Sequence, residues 1–221
     1  MPICTFRQTV LFFAHIPKTG GSSVEAYLRQ KGDLSLFGEP KVSGIHRQHL
    51  TRDQVAAIPG LPVFDYRFAV VREPVSRMVS EFLWRSEPLK PLQWLARPLA
   101  RAEARRIKVR GRKRSLTFAE WVPLALEEAC EFPGMRDNHM RAQVDFLAAG
   151  DRLFAFEKGL QPVFRWIDYA TDGAPSETPE RLKANRSARP QVDAASRALI
   201  EAHYNRDAAL HRDLHAGRVV F

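Results

Sequence analysis

The chain has 221 residues, of which 45% are hydrophobic and 27% are charged, and this composition excludes a disordered or collagen-like protein. The formal net charge of +9 and the pI near 10.0 favour an anionic partner. The segment from Arg85 to Ser115 holds 11 Lys or Arg residues against 2 Glu residues, whereas the other 190 residues carry 23 charges of each sign. The whole excess of positive charge therefore lies in this one segment.

Cysteine content and hydropathy limit the class of protein further. Cys4 and Cys130 provide neither a disulfide framework nor the spacing of a metal site. The apolar run from Val10 to Ile16 is too short to span a membrane, and no signal cleavage site follows it. We expect a soluble cytoplasmic protein, with peripheral membrane contact left open.

The first predicted unit is a strand, a glycine loop and a helix. Residues Thr9 to Ile16 are apolar, aromatic and branched, which predicts a strand buried on both faces of a parallel sheet. The loop from Pro17 to Ser23 reads Pro-Lys-Thr-Gly-Gly-Ser-Ser, and Val24 to Leu28 has helical spacing.

A second unit repeats this order. Tyr66 to Val71 predicts another strand, and the turn Arg72-Glu-Pro74 leads into a helix from Val75 to Arg85. The helix has one apolar face, formed by Val75, Met78, Val79 and Phe82.

The remaining elements complete an α/β pattern. They are a capped helix from Thr117 to Cys130, a strand at Leu153 to Phe156, a helix from Gln161 to Tyr169, a polar loop from Thr171 to Pro190, and a C-terminal helix of about 25 residues that Gly217 terminates. We expect one domain over residues 1–221, with a central, mainly parallel sheet flanked by helices. In such sheets ligands bind beyond the carboxyl ends of the strands, where both turns lie.

The glycine loop has the features of an anion site. Backbone N–H groups at a helix start can point at one anion, and Lys18 adds a mobile cation. Because the lysine precedes the glycines, the loop does not match the Walker signature. A tight turn with an exposed lysine is the alternative.

Together the two turns resemble those of the PAPS-dependent sulfotransferases, particularly the carbohydrate branch and its bacterial relatives. His15 to Ser23 matches the family loop that holds the 5′-phosphosulfate of the donor. Arg72, Pro74, Arg77 and Ser80 match the family motif Arg-x-Pro-x-x-Arg-x-x-Ser, whose first arginine and serine hold the 3′-phosphate. The resemblance implies a P-loop-like three-layer fold.

The resemblance also implies the donor and its contacts. The donor is 3′-phosphoadenosine 5′-phosphosulfate (PAPS), the product is adenosine 3′,5′-bisphosphate, and no metal is required. The cofactor-binding residues implied are Lys18, Thr19, Gly20, Gly21, Ser22, Ser23, Arg72 and Ser80, with Arg186 and Ser187 in a late loop. Weaker matches that we interpret as scaffold occur at residues 138–141, Gln143, Leu147, residues 156–157 and residues 204–207.

Catalysis needs charge stabilisation and a base. Lys18 would neutralise the bridging oxygen as the bisphosphate departs. His46 and His49 lie where the carbohydrate branch carries its catalytic histidine, and we favour His46, with a structural role as the alternative for either. Glu25 and Glu81 are fallback bases, and His15 is expected to orient the loop.

The basic insert, residues 85–115, follows the second motif, where this family builds part of its acceptor cleft. It is interpreted as an acceptor-site or lid segment for an acidic glycan or lipid headgroup, with a solvated loop as the alternative. Aromatic residues that could stack on bases are absent from Arg97 to Arg114, which argues against nucleic acid.

The predicted function is transfer of a sulfuryl group from PAPS to a hydroxyl of a carbohydrate or glycolipid. One alternative is a nucleotide or small-molecule kinase of related fold. The other is a basic anion- or nucleic-acid-binding protein without catalysis. Association into an oligomer is left open.

Overall fold

The computed structural model describes residues 2–35, 41–42, 45–89, 103–179 and 188–218. Arg186, Ser187 and positions 90–102 of the basic insert therefore lie outside the described residues. The chain forms two compact units. The first comprises Met1–Glu73, Gly134–Ala184 and Arg206–Phe221, and the second Pro74–Pro133 and Asn185–Asn205. The single domain expected over residues 1–221 stays a prediction.

Strands and helices alternate along much of the described chain. The strands are β1 (Ile3–Phe6), β2 (Thr9–Ala14), β3 (Asp33–Ser35), β4 (Lys41–Val42), β5 (Ile45–His46), β6 (Tyr66–Val71), β7 (Glu87–Pro88), β8 (Arg105–Val109), β9 (Arg112–Leu116) and β10 (Arg152–Ala155). The α-helices are α1 (Gly21–Lys31), α2 (Arg52–Ala56), α3 (Pro74–Arg85), α4 (Phe118–Glu131), α5 (Gln161–Ala170), α6 (Ala194–His203) and α7 (Asn205–His215). Short 3-10 turns cover Arg47–His49, Gln143–Phe146 and Phe156–Lys158.

The first unit contains a five-stranded sheet in the order β10-β6-β2-β1-β3. The three predicted strands β2, β6 and β10 are parallel, with Leu11 opposite Tyr66 and Arg152 opposite Phe68. β1 is antiparallel to both β2 and β3. The sheet is therefore mixed: the expected parallel strands are confirmed, and β1 and β3 extend them at one edge through antiparallel pairings.

The hairpin of β1 and β2 was not predicted, because the sequence has no typical turn residues between these two strands. β1 and β2 are joined by Arg7 and Gln8, and Arg7 adopts φ 54°. Two-residue hairpin turns need positive φ, a conformation that Gly, Asn or Asp normally provides. Because an arginine occupies this position, the sequence does not predict the hairpin.

Both faces of the parallel strands are buried, as the continuous apolar runs predict. Since successive side chains of a strand alternate between faces, Leu11 and Phe13 of β2 pack in one core cluster with residues of α1 and α5. Phe12 and Ala14 pack in the other, with Val55 of α2 and Leu210 of α7. Helices thus cover both faces of the sheet, and its carboxyl edge is left for the loops.

The second unit holds α3, α4, α6 and a three-stranded antiparallel sheet in the order β7-β8-β9. The predicted capping box opens α4: the Thr117 hydroxyl accepts from the Glu120 N–H, and the Glu120 carboxylate accepts from the Thr117 N–H. Phe82, Phe118 and Trp121 form its aromatic core, with ring centroids 5.3–5.9 Å apart.

The C-terminal helix differs from its prediction. It is interrupted at Tyr204, whose φ of −104° and ψ of 38° leave the helical region, so that α6 and α7 are separate helices. The buried Tyr204 ring lies 5.1 Å from the Arg77 guanidinium carbon, a tertiary contact that helical periodicity does not reveal. Gly217 ends α7 with φ 70°, as predicted. Within the described residues, no helix has the length and apolar character needed to cross a membrane.

Candidate functional site

The glycine loop lies between the end of β2 and the start of α1, at the carboxyl edge of the sheet. Lys18 adopts φ 70° and Gly20 adopts φ 88°, so the chain reverses within a few residues. A lysine in this left-handed region costs about 1 kcal/mol or more, and such strain concentrates at functional sites. The Thr19 hydroxyl, fully buried, donates to the carbonyl oxygen of Ile16 over 2.9 Å and fixes the turn.

The start of α1 is suited to an anion. The N–H groups of Ser23 and Val24 already donate to the Gly20 carbonyl oxygen. Those of Gly21 and Ser22 precede them, where a helix offers no carbonyl one turn earlier. The first turn of α1 contains no acidic residue, so the positive end of the helix dipole is not neutralised there.

Gly21 allows the loop to approach a buried histidine. A Cβ atom at this position would lie 1.8 Å from Nε2 of His15. Only glycine is therefore compatible with the observed packing, and His15 supports the loop from beneath α1.

His15 belongs to a buried polar network. Its Nδ1 lies 2.6 Å from Oε1 of Glu25, which also accepts from Nε2 of Gln48 over 2.5 Å. Burial raises the pKa of Glu25, but the hydrogen bonds from His15 and Gln48 outweigh it, and the net shift is downward. Burial lowers the pKa of His15 although Glu25 opposes it. A neutral His15 therefore donates from Nδ1 to an ionised Glu25.

The two predicted base candidates have different surroundings. His49 Nδ1 lies 3.2 Å from the His15 carbonyl oxygen, and its ring contacts those of His15 and His139 at centroid distances of 4.7 and 5.0 Å. Burial, with the neighbouring histidines, lowers the pKa of His49 strongly. His46 is half-buried on β5, and its Nδ1 accepts from the Gln48 N–H over 3.2 Å. Of these two candidates, only His49 contacts His15, the residue that lies beneath the glycine loop.

Arg72 ends β6 and reaches the glycine loop. Its Nη1 donates to the Lys18 carbonyl oxygen over 3.0 Å, and its guanidinium carbon lies 4.4 Å from the centre of the Phe156 ring. The two sequence motifs are thus in contact through Arg72, as expected for two turns at the same sheet edge.

A buried amide fixes the backbone of Arg72. Gln143 accepts from the Arg72 N–H over 2.9 Å and donates to the Arg72 carbonyl oxygen over 2.7 Å. The Asp207 carboxylate accepts from the N–H groups of Gln143 and Val144 over 2.8 and 3.1 Å. These residues were interpreted only as scaffold, and their pairing was not predictable because they are distant in sequence.

The rest of the second motif lies in the second unit, on α3. Arg77 is buried against Tyr204, which indicates a packing role. Ser80 is half-buried, and its assignment to the 3′-phosphate stays a prediction. Glu81 is buried and paired with Arg85 of the same helix, a poor position for a base.

The described part of the basic insert forms a hairpin of β8 and β9 in the second unit. Lys108 lies directly opposite Lys113, and both side chains are exposed. Both lysines therefore add positive charge to the exposed surface of the hairpin. At the turn, Arg110 pairs with Glu127 and Glu131, which neutralises this part of the hairpin.

Comparison with known proteins gives one finding on the family. The sulfotransferase family matches the sequence over residues 1–210. Neither a curated protein nor a solved structure matches the chain significantly.

Replacing Gly21 with alanine tests the packing of the loop. Because the new Cβ would overlap the buried His15 ring, Gly21→Ala should lower the free energy of unfolding by about 1–3 kcal/mol, measured by urea denaturation. Gly134→Ala is the matched control, since the nearest atom to its Cβ would be Cδ1 of the Ile45 side chain, at 3.3 Å. Equal stability of the two variants would contradict the packing described.

Proposed function

The chain belongs to the sulfotransferase family, and we propose that it transfers a sulfuryl group from PAPS to a hydroxyl, releasing adenosine 3′,5′-bisphosphate. The observation that carries the proposal is the hydrogen bond from Arg72 to the Lys18 carbonyl oxygen. It brings two cationic residues and a helix start together, which suits a donor with anionic groups at two positions. The family match favours this function over a kinase or a non-catalytic binding protein.

The glycine loop would hold the 5′-phosphosulfate. The N–H groups of Gly20, Gly21 and Ser22 would donate to it, with Lys18 supplying charge. Because the Thr19 hydroxyl is engaged with Ile16, Thr19 would contribute only its backbone N–H. Arg72 would bind the 3′-phosphate. Ser23, Ser80, Arg186 and Ser187 stay as contacts predicted from the resemblance.

The reaction would proceed by in-line displacement at sulfur. The acceptor oxygen forms the new S–O bond, the bridging S–O bond breaks, and its electron pair remains on the 5′-phosphate of the bisphosphate. The acceptor proton passes to a base. Lys18 would stabilise the charge developing on the bridging oxygen, an interaction that is strongest in the transition state.

The hydrogen bonds of the two candidate bases favour different tautomers of the neutral rings. A carbonyl oxygen only accepts, so the neutral His49 ring carries its proton on Nδ1 and leaves Nε2 able to accept one. In neutral His46, Nδ1 accepts from the Gln48 N–H, so Nε2 carries the proton. Burial lowers the pKa of His49 strongly, however, which weakens it as a base near neutral pH. His46 therefore stays the favoured base, with His49 as the alternative.

The acceptor is proposed to be a carbohydrate or glycolipid with acidic groups. The support for an acidic acceptor is the β8–β9 hairpin, where Arg106, Lys108, Arg112, Lys113 and Arg114 are exposed. Uronate or sulfate groups on the acceptor would be attracted to this row of exposed cations.

Replacing Lys18 tests its part in the chemistry. Lys18→Ala should lower kcat about 100-fold or more, since one charge interaction made mainly in the transition state contributes about 3–4 kcal/mol. Binding of adenosine 3′,5′-bisphosphate, measured by calorimetry, should change much less. The control is Lys158→Ala, which removes an exposed lysine of the same unit. A Lys18→Ala variant with unchanged turnover would remove Lys18 from the mechanism.

Charge reversal in the hairpin tests the acceptor class. The double variant Lys108→Glu and Lys113→Glu should weaken binding of a labelled uronate oligosaccharide about tenfold or more at low salt, because attraction becomes repulsion. Fluorescence anisotropy at two salt concentrations measures the affinity and its salt dependence. The control double variant, Arg152→Glu and Arg165→Glu, makes the same charge change on exposed positions of the first unit. Equal loss in both double variants would contradict a specific role for the hairpin.

A further inference from the structure

Glu157, His211 and His215 converge within the first unit. Among the described residues, these three side chains form a group whose potential ligand atoms all lie within 4.8 Å of one another. Oε2 of Glu157 is 3.0 Å from Nε2 of His211 and 3.9 Å from Nε2 of His215. Two imidazole rings therefore approach the same carboxylate oxygen.

The helix α7 presents the two histidines together. His211 and His215 are four residues apart, which places them on one face of the helix with ring centroids 4.4 Å apart. One turn earlier, Asp207 anchors the helix through its bonds to Gln143 and Val144. The histidine pair is thus held at a fixed place beside the turn that carries Glu157.

The carboxylate of Glu157 is also held in place. Its Oε1 accepts from the Glu73 N–H over 2.9 Å, which directs Oε2 towards the histidines. The Glu157 side chain is 30% exposed and that of His211 is 14% exposed, so an ion can enter from solvent.

We propose that Glu157, His211 and His215 bind a zinc ion. Nitrogen and carboxylate oxygen are ligands that zinc accepts in tetrahedral sites, with bond lengths of about 2.0–2.2 Å. Ligand atoms around such an ion are separated by about 3.3 Å, and the observed 3.0 and 3.9 Å lie on either side of this value. Zinc would replace the proton shared by His211 and Glu157, with water at the fourth position.

A simple ion pair accounts less well for the arrangement. Glu157 and His211 alone would satisfy a hydrogen bond, whereas His215 Nε2 lies beyond hydrogen-bond distance from the same oxygen. A central ion explains why both rings face one carboxylate. The available sequence signal for this site was the spacing His-x-x-x-His within the predicted C-terminal helix. The third proposed ligand, Glu157, lies more than fifty positions earlier in the sequence.

The metal would have a structural role close to the donor site. Phe156, which precedes Glu157, lies beneath the Arg72 guanidinium, and Glu73, which follows Arg72, donates to Glu157. Zinc would therefore connect α7 to the segment that carries Arg72. The proposal does not rest on sulfuryl transfer, which requires no metal at this position.

Zinc binding to the full-length, tag-free protein tests the proposal. Competition with a chromophoric chelator should give one zinc ion per chain. His215→Ala should weaken zinc binding at least about tenfold, because it removes one of three ligands. This variant is preferred to His211→Ala because His215 makes the longer contact and is the more exposed, so its loss should leave the metal-free fold intact.

His203→Ala is the matched control, since it removes another helical histidine, one that lies 3.9 Å from the Cys130 sulfur. The wild type and His203→Ala should bind zinc equally, and zinc should raise the Tm of both but not that of His215→Ala. Absence of stoichiometric binding, unchanged affinity in His215→Ala, or an equal loss in His203→Ala would overturn the proposal.

Discussion

The bidentate contact of the Gln143 amide with the Arg72 backbone is the interaction on which the rest of the candidate site depends. Strand β6 ends at Val71, and its register with the neighbouring strands stops there, one residue before Arg72. Gln143 supplies partners for both backbone groups of Arg72 from a fully buried position, and Asp207 holds Gln143 in turn. An unpaired buried amide or carboxylate raises the free energy of the folded state. Asp207 therefore stabilises the position of Gln143, and Gln143 stabilises that of Arg72.

Once its backbone is fixed, Arg72 can position two other features. Its guanidinium group donates to the Lys18 carbonyl oxygen and stacks on Phe156, whose ring also lies near Gly20. The strained turn at Lys18 is thereby restrained from outside, while the His15 and Glu25 pair restrains the helix that follows. Rigid support of this kind is what a loop needs if its N–H groups are to be aligned before an anion binds.

The sequence predicted those parts of the site that depend on local pattern. The strands β2 and β6, the loop between Pro17 and Ser23, and the position of Arg72 all follow from apolar runs and turn residues. Long-range pairs, such as Gln143 with Arg72, leave no periodic signal. The β1 hairpin was missed because its turn uses Arg7 where glycine is usual. The break at Tyr204 was missed because helical periodicity does not reveal the tertiary contact of its ring with Arg77.

The central claim is that the loop and Arg72 together bind a donor with phosphates at its 5′ and 3′ positions. Calorimetric titration of the wild type and Arg72→Ala with adenosine 3′,5′-bisphosphate and with adenosine 5′-monophosphate tests it most directly, with Arg152→Ala as an exposed-arginine control. The account predicts that Arg72→Ala loses about 10- to 100-fold in affinity for the bisphosphate and much less for the monophosphate, the size expected for a charged hydrogen bond. No bisphosphate binding by the wild type, or an equal loss for both ligands, would contradict it.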